Sequence, residues 1–187
     1  MPMIDACIPE GALSVEAEAR LMAELTTILI GHEGLDPTNP RTLSSTWVLL
    51  HRVTTYQAGV RSKAPLYRIV PTVPEGQYTD AARAGLVRDV TAAIARAEGG
   101  DPAEVATRVW VFPSEIFDGG WGGRGVIRHL PDIMAYFGGA EADVFRREGE
   151  ARLAEKRRGD LVAGLRTLLA ALDVPVPPRR VMRTDAT

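Results

Sequence analysis

The chain has 187 residues, of which 45% are hydrophobic and 25% charged, a composition typical of a globular protein with a core of its own. A formal net charge of −2 gives no general attraction to nucleic acid or to an anionic membrane surface, and a single cysteine excludes an intramolecular disulfide. No apolar stretch reaches the ~18 residues that a membrane-spanning helix needs, and no basic segment followed by an apolar one begins the chain. These features predict a cytoplasmic protein with neither nucleic acid nor membrane among its partners.

The first sixty residues contain the pattern of a strand, a helix and a second strand. Met3 to Ile8 is short and apolar and ends at the turn Pro9-Glu10-Gly11. Ser14 is a typical N-cap, and the apolar residues after it recur at helical spacing as far as Gly31. Thr46 to Val53 is apolar and β-branched, which predicts the second strand.

The same pattern occurs a second time. Pro9-Glu10-Gly11 recurs as Pro74-Glu75-Gly76, 65 residues later, and further matches follow at the same offset: Ala17 and Ala82, Leu21 and Leu86, Thr26 and Thr91, Glu33-Gly34 and Glu98-Gly99, Asp36-Pro37 and Asp101-Pro102. A fixed offset shared by so many pairs indicates an internal duplication. The second copy predicts a strand over Leu66–Val70, a helix from Thr79 to Ala97 capped by Thr79, and a strand over Arg108–Phe112.

Two strand-helix-strand units define the expected fold. A connection through a helix makes the two strands of each unit parallel, with a right-handed crossover. Two such units form an α/β (α+β) domain in which tandem β-α-β repeats share a four-stranded sheet with both helices on one face. We expect this domain to span residues 1–138, with repeat one at 2–60 and repeat two at 64–125.

The remainder of the chain departs from the repeat. Residues 141–158 are highly charged and helical in propensity, and Asp160 is predicted to cap a last helix with an apolar stripe at Leu161, Leu165, Leu168, Leu169 and Leu172. We therefore predict a C-terminal helical extension at 139–174. A disordered tail is expected at 175–187, after the prolines that stop the helix.

The segment Phe117–Gly125 holds five glycines in nine residues, which predicts a loop or a tight hairpin. It lacks the lysine and the following helix of a phosphate-binding loop, and no G-x-G-x-x-G motif occurs. The three histidines and Cys7 show no metal-ligand spacing. We expect neither a cofactor nor a metal.

A β-α-β unit that begins with proline directly after the initiator methionine, and that is repeated in tandem, resembles the tautomerase superfamily. Its members include 4-oxalocrotonate tautomerase, macrophage migration inhibitory factor, malonate semialdehyde decarboxylase and cis-3-chloroacrylic acid dehalogenase. The resemblance covers roughly Pro2 to Gly125. Besides the duplication it rests on Ser114-Glu115…Gly120-Trp121-Gly122-Gly123, which is similar to the E-x5-(F/W)-G-x-G loop of the short tautomerases, although its last glycine comes one place late. The resemblance implies an isomerase that assembles as a homotrimer.

The resemblance also implies that Pro2 is the catalytic residue. Removal of Met1 leaves Pro2 with a secondary amine, and burial or a nearby cation keeps such an amine uncharged, so that it can act as a general base. In the family this amine takes a proton from a carbon next to a carbonyl and returns it elsewhere. Pro65 stands near the matching place of the second copy, but it is an internal amide with no basic nitrogen. One active site per chain follows.

The arginines with which the family holds carboxylate substrates are missing. The arginine after the turn glycine is replaced by Ala12 in the first copy and by Gln77 in the second, and the one at the start of the second strand aligns with Trp110. The two arginines of the dehalogenase branch become Pro74 and Gln77, and the tyrosine and glutamate of that branch are also absent. This pattern speaks against dehalogenase chemistry.

Other residues are candidates for substrate binding. Arg124 lies in the glycine-rich loop beside Trp121, which aligns with the aromatic wall of the family's pocket, and a guanidinium is suited to bidentate carboxylate binding. His32-Glu33-Gly34-Leu35 resembles the H-x-G-L of the dehalogenase branch, where the histidine contacts substrate. Arg52, at the end of the second strand, is the third candidate cation.

The predicted function is keto-enol tautomerisation of a small 2-oxo acid or a related carbonyl compound, with a carboxylate as the expected substrate. A hydratase or a decarboxylase that uses the same proline is the nearest enzymatic alternative. A non-catalytic trimeric binding protein with a decayed site is the other alternative, and it is favoured by the loss of the arginines.

Overall fold

The computed structural model describes residues 2–172; the predicted tail at 175–187 lies outside this range. The described strands are β1 (Met3–Pro9), β2 (Trp47–Val53), β3 (Tyr56–Gln57), β4 (Val60–Arg61), β5 (Tyr67–Pro74), β6 (Val109–Val111), β7 (Ser114–Ile116), β8 (Gly122–Gly123) and β9 (Val126–Ile127). The described α-helices are α1 (Val15–His32), α2 (Pro40–Ser45), α3 (Asp80–Glu98), α4 (Pro102–Ala106), α5 (Leu130–Gly138) and α6 (Ala142–Ala171), and a 3₁₀ turn at Gly139–Glu141 joins the last two.

The main sheet has the strand order β2-β1-β5-β6, and β7 continues beside β5 where β6 ends. β1 pairs with β2 in parallel and β5 pairs with β6 in parallel, while β1 and β5 are antiparallel. These pairings confirm two β-α-β units that share one sheet. Because Met3 is in register with Trp47 and with Thr72, the beginning of β1 lies beside the beginning of β2 and the end of β5.

Helices α1 and α3 cover the same face of this sheet. The residues of β1 that point to them, Ile4, Ala6 and Ile8, are fully buried in one core with Leu21 of α1 and Leu86 of α3. The burial follows from the period-two alternation of a strand against the period-3.6 stripe of a helix. The expectation of two helices on one face is therefore confirmed.

The opposite face of the sheet carries large apolar side chains beside the ion pair of Asp5 and His51, and it is uncovered in the single chain. Trp47 and Leu49 of β2 lie on it, as do Trp110 and Phe112 in and after β6. The exposed fraction of Trp110 is 64%, a large value for a tryptophan. We call this surface the open sheet face.

Both predicted helix caps are present. The Ser14 hydroxyl oxygen accepts the N–H of Ala17 at 3.1 Å, and the Thr79 hydroxyl oxygen accepts the N–H of Ala82 at 3.1 Å. The short helices α2 and α4 were not expected from the sequence. Asp101 caps α4 with Pro102 in its first turn, so an Asp-Pro pair that predicts a turn begins a helix here.

The glycine-rich segment forms the expected hairpin. β8 and β9 are antiparallel, and Arg124 and Gly125 form the two-residue turn between them with φ values of 54° and 77°. Positive φ at both central residues is the geometry of the turn that suits the twist of a two-stranded ribbon. Gly125 adopts it without strain, whereas Arg124 is a non-glycine residue in the left-handed region.

The extension is one continuous helix over 30 residues, Ala142–Ala171. The predicted helix start at Asp160 is wrong, because the Asp160 carboxylate pairs with Lys156 one turn earlier on the same helix. The first half of α6 packs on α5 through Leu153, Leu130 and Met134. The leucines of the second half are exposed in the single chain, Leu161 to 74%. Within residues 2–172, no helix has the length and apolarity needed to cross a membrane.

Candidate active site

Pro2 lies at one edge of the sheet, where several elements end or begin. It is buried, and its carbonyl oxygen accepts the N–H of Trp47 at 3.2 Å. Because α1 runs back along β1, its last turn returns to this edge, and the antiparallel β5 ends here as well. Met3 packs against Ile30 at the end of α1 and against Leu35. We call this region, formed by the start of β1, the end of α1, the end of β5 and β7, the proline edge.

Glu115 organises the turn that follows β5. Its Oε1 accepts the N–H groups of Gly76 at 3.0 Å and Tyr78 at 3.2 Å, and its Oε2 accepts from Nη2 of Arg83 at 2.7 Å. The glutamate of the glycine-loop motif therefore has a positioning role in this chain. It fixes Gln77 and Tyr78 at the proline edge.

Glu33 is a buried carboxyl group at the end of α1. It is 1% exposed, and neither of its carboxyl oxygens has a hydrogen-bond partner among the described residues. Burial raises the pKa of Glu33 to about 8, although the positive charges of the amino terminus and of Arg152 act in the opposite direction. An ionised carboxylate without partners is very costly in such a place, so the group holds its proton at neutral pH.

Arg152 of α6 reaches the same place from the C-terminal extension. Its Nη1 donates to the backbone oxygen of Glu33 at 3.1 Å and to Oε1 of Gln77 at 2.9 Å. Its Nε donates to Oε1 of Glu148 at 3.1 Å, and its Nη2 donates to the same oxygen. One guanidinium thus ties α6 to the end of α1 and to the turn after β5.

A cleft of about 880 Å³ lies between α6 and this turn, and we call it the α6 cleft. Its lining includes Glu33, Gln77, Tyr78, Arg83 and Arg152. Nε2 of Gln77 and the hydroxyl of Tyr78 are buried and, like the Glu33 carboxyl, have no partner within residues 2–172. Burial also raises the pKa of Tyr78, so its hydroxyl keeps its proton.

A second cavity, of about 360 Å³, is lined in part by Met3, and we call it the hairpin cavity. The predicted pocket residue Trp121 is buried and forms part of its wall, and the exposed Trp47 also lines it. Arg124 also lines it, with the guanidinium carbon 5.5 Å from the centre of the Tyr136 ring. Arg124 is exposed to solvent. The structure thus brings Trp121 and Arg124 to one cavity beside the residue that follows Pro2.

The other two candidate cations have protein partners. His32 lies between α1 and α3, where its Nε2 is 2.8 Å from Oδ2 of Asp89, although its residue also borders the α6 cleft. Arg52 binds Glu18 of α1 through both terminal nitrogens, one at 2.8 Å. Arg52 is five residues beyond Trp47 on β2, about 16 Å from the proline edge at about 3.3 Å per residue. The structure does not bring Arg52 together with Pro2 in the single chain.

Sequence reasoning missed three residues of this region: Glu33, Tyr78 and Arg152. Glu33 stands inside the His32-Glu33-Gly34-Leu35 motif, in which His32 and not Glu33 was the predicted binding residue. Arg152 belongs to a highly charged helix in which no spacing distinguishes it from the other arginines. In the part of the chain that the structure describes, no three His, Cys, Asp or Glu side chains come together as a metal site.

Several solved structures share this fold. Pt0534 inactivated by 2-oxo-3-pentynoate is 21% identical, with a TM-score of 0.55 over 67% of this chain and 94% of the other. The F6 fused 4-OT wild-type asymmetric trimer is also 21% identical, with a TM-score of 0.54 and the same coverage. A macrophage migration inhibitory factor-like protein from Entamoeba histolytica is 12% identical, with a TM-score of 0.53 over 68% of this chain and 98% of the other. The sequence matches no model of a protein family and no curated protein.

Two fused β-α-β units with a buried proline at the start of the central strand thus define the architecture. It is the fold of the tautomerase superfamily, in the fused two-repeat form, and the expectation from the sequence is confirmed. The C-terminal helix α6 follows the two-repeat unit.

Proposed function

We propose that the chain is a tautomerase-like enzyme in which the amine of Pro2, free after Met1 is removed, acts as general base and then as general acid. The observation that carries this proposal is the position of Pro2, which is buried directly before the inner strand β1 of a tautomerase fold and adjoins Met3, a residue that lines the hairpin cavity. The amine lone pair takes a proton from the carbon next to a carbonyl, which leaves an enol or enolate. The ammonium then returns this proton to a different atom of the same molecule.

The surroundings of Pro2 favour an uncharged amine. Burial penalises the ammonium, and a protonated Glu33 adds no negative charge that would stabilise it. An uncharged amine near neutral pH is the form that a general base requires.

The proposed substrate class is a small 2-oxo acid or a related carbonyl compound. The similar protein Pt0534 is inactivated by 2-oxo-3-pentynoate, which is itself a 2-oxo acid. A 2-oxo acid combines an acidic carbon-bound proton with a carboxylate that a guanidinium can hold. Arg124 and Trp121 in the hairpin cavity stay predicted binding residues, whereas the pairing of Arg52 with Glu18 makes Arg52 the least suitable of the predicted cations.

We also propose that three chains assemble through the open sheet face. The similar fused 4-OT proteins form trimers. The open sheet face carries exposed Trp47, Leu49, Trp110 and Phe112, and a cluster of large apolar side chains of this kind marks an interaction surface. Light scattering at micromolar concentration should give three times the mass of one chain, and a monomer would contradict the proposal.

The catalytic proposal is tested with two variants that leave the rest of the chain unchanged. Pro2→Ala replaces the secondary amine by a primary one. Insertion of a lysine between Met1 and Pro2 prevents trimming and leaves the Pro2 nitrogen as an amide. Both proteins should keep the circular dichroism spectrum of the wild type and lose most of its activity on a panel of enolisable 2-oxo acids, followed by the ultraviolet absorbance of the enol.

A chemical probe gives an independent readout. The processed protein, incubated with 2-oxo-3-pentynoate, should gain the mass of one inhibitor on its amino-terminal peptide, because a neutral amine can add to the alkyne. The lysine-insertion protein should not be labelled there. Full activity of this insertion protein would exclude Pro2 as the catalyst and favour a catalytic site elsewhere, whereas a processed wild type with neither turnover nor labelling would favour a non-catalytic binding protein.

A further inference from the structure

The α6 cleft contains an unusual set of polar groups. Nε2 of Gln77, the hydroxyl of Tyr78 and the carboxyl group of Glu33 are all buried, and each has no hydrogen-bond partner in the described part of the chain. Buried polar groups are nearly always paired, because each unpaired group costs on the order of 1–3 kcal/mol. Three such groups beside one cleft indicate a place that is built to receive a polar ligand.

The chemistry of these groups limits what the ligand can be. Nε2 of Gln77 can only donate, and the Tyr78 hydroxyl and the protonated Glu33 carboxyl each carry a hydrogen to donate. The Arg152 guanidinium beside them is a donor with a positive charge. A site with this excess of donors suits a ligand that is rich in acceptor oxygens and carries a negative charge.

The structure also indicates how a carboxylate would bind. The Nε and Nη2 edge of the Arg152 guanidinium is occupied by one carboxylate oxygen of Glu148, which lies on the same helix and is exposed. This is the edge to which a planar carboxylate binds through two parallel hydrogen bonds. A ligand can therefore exchange with Glu148 without breaking the contacts of Nη1 with Glu33 and Gln77.

We propose that the α6 cleft is a binding site for a small carboxylate. The ligand takes the place of the Glu148 carboxylate on Arg152, and Gln77 and Tyr78 supply neutral donors. The assignment of the α6 cleft to the carboxylate of the substrate rests on the proposed function, whereas the binding of a carboxylate there does not. The C-terminal helix thereby supplies the cation that the repeats lack at the turn after β5, since the residue there is Gln77 and its side chain already contacts Arg152.

The test measures binding separately from turnover. Pyruvate, and pyruvamide as its uncharged analogue, are titrated by calorimetry into the full chain carrying Pro2→Ala. Pyruvate should bind about tenfold or more tightly than pyruvamide, because only pyruvate offers the charge that Arg152 pairs with. Equal affinities, or no binding of pyruvate at millimolar concentration, would overturn the proposal.

Three further variants assign the binding to this site. Arg152→Ala should weaken pyruvate binding by about 30-fold, and Arg152→Lys should recover only part of it because an ammonium lacks the two-pronged geometry. Glu148→Gln should strengthen binding by a few fold, because it removes the competing carboxylate. A purely structural role of Arg152 predicts no such gain, so Glu148→Gln decides the question even if Arg152→Ala fails to fold.

The matched control is Arg158→Ala. Arg158 is an exposed arginine on the same helix, paired with Glu155. Its loss should leave pyruvate binding unchanged, and an equal loss of affinity in both arginine variants would mean that the general charge of α6 is responsible. Turnover by the processed wild type that Arg152→Ala does not affect would refute this site and leave the proposed function intact. Pyruvate binding that depends on Arg152, without any turnover by the processed wild type, would support this site and count against the proposed function.

Discussion

Glu33→Gln offers a direct test of the electrostatics at the proline edge. Burial raises the pKa of Glu33 from its ordinary value of 4.5 to about 8 in the folded chain. The folded protein therefore holds this proton more tightly than the unfolded chain does. The resulting stabilisation is fully present below pH 4.5 and is lost as the pH rises through 8. At 1.36 kcal/mol per pH unit, the interval corresponds to about 5 kcal/mol, a large share of the stability of an ordinary domain.

Glutamine does not titrate, so the variant lacks this dependence. The free energy of unfolding of the wild type, measured by urea denaturation with circular dichroism between pH 4.5 and 8.5, should fall relative to that of Glu33→Gln by about 5 kcal/mol. Protein concentration must be the same throughout, because assembly contributes to the measured stability. Only the change with pH is used, since the amide also alters local hydrogen bonding by a constant amount.

Glu155→Gln is the control, because Glu155 is an exposed glutamate beside the same cleft. Its stability curve should run parallel to that of the wild type. If Glu33→Gln also runs parallel to the wild type, the Glu33 carboxyl is not a buried acid with a raised pKa. The assignment of donors in the α6 cleft would then lose one of its three members.

The remaining predictions concern assembly, core and substrate binding. Trp110→Glu places a charge on the open sheet face and should shift the protein from trimer to monomer in light scattering. Glu98→Ala leaves the largely buried guanidinium of Arg108 without its carboxylate and should lower the free energy of unfolding by about 3 kcal/mol in urea denaturation. Thr79→Ala removes the cap of α3 and should cost about 1 kcal/mol in the same assay. Arg124→Ala should raise the KM for a 2-oxo acid by no more than about fivefold, because water competes for an exposed guanidinium.

The fold could be predicted from local patterns that occur twice in the sequence. Each element has its own local signal: alternation along β1 and β5, the helical stripes of α1 and α3, and the caps Ser14 and Thr79. Because the duplication gives the same signals in both repeats, the assignment in one repeat supports that in the other. β7 was missed because it is only three residues long and becomes a strand through its pairing with the end of β5. The start of a helix at Asp160 was predicted from a local capping preference, but α6 continues through Gly159 and Asp160 as one helix.

The site is less predictable because it depends on contacts between distant parts of the chain. Pro2 and Trp121 were predicted through the resemblance, and they lie at the proline edge and in the wall of the hairpin cavity. Arg152 contacts Gln77, a residue 75 positions away, and no local pattern indicates such a contact. Glu33 and His32 are neighbours in one motif, and only the packing of α1 on α3 decides that His32 pairs with Asp89 while Glu33 is buried.

The close approach of α6 to the Gly76 turn has a consequence for the order in which the site forms. A Cβ atom at Gly76 would lie 3.3 Å from the backbone of Leu153, and the backbone there has a φ of +89°, so this glycine allows α6 to lie directly on the turn. The two repeats are complete before Arg152 has been synthesised, whereas the α6 cleft exists only after it. A chain that stops after the second repeat would therefore keep both strand-helix-strand units and Pro2 but would lack the cation that we assign to carboxylate binding. The cation that we assign to carboxylate binding is thus synthesised 150 residues after the proposed catalytic residue.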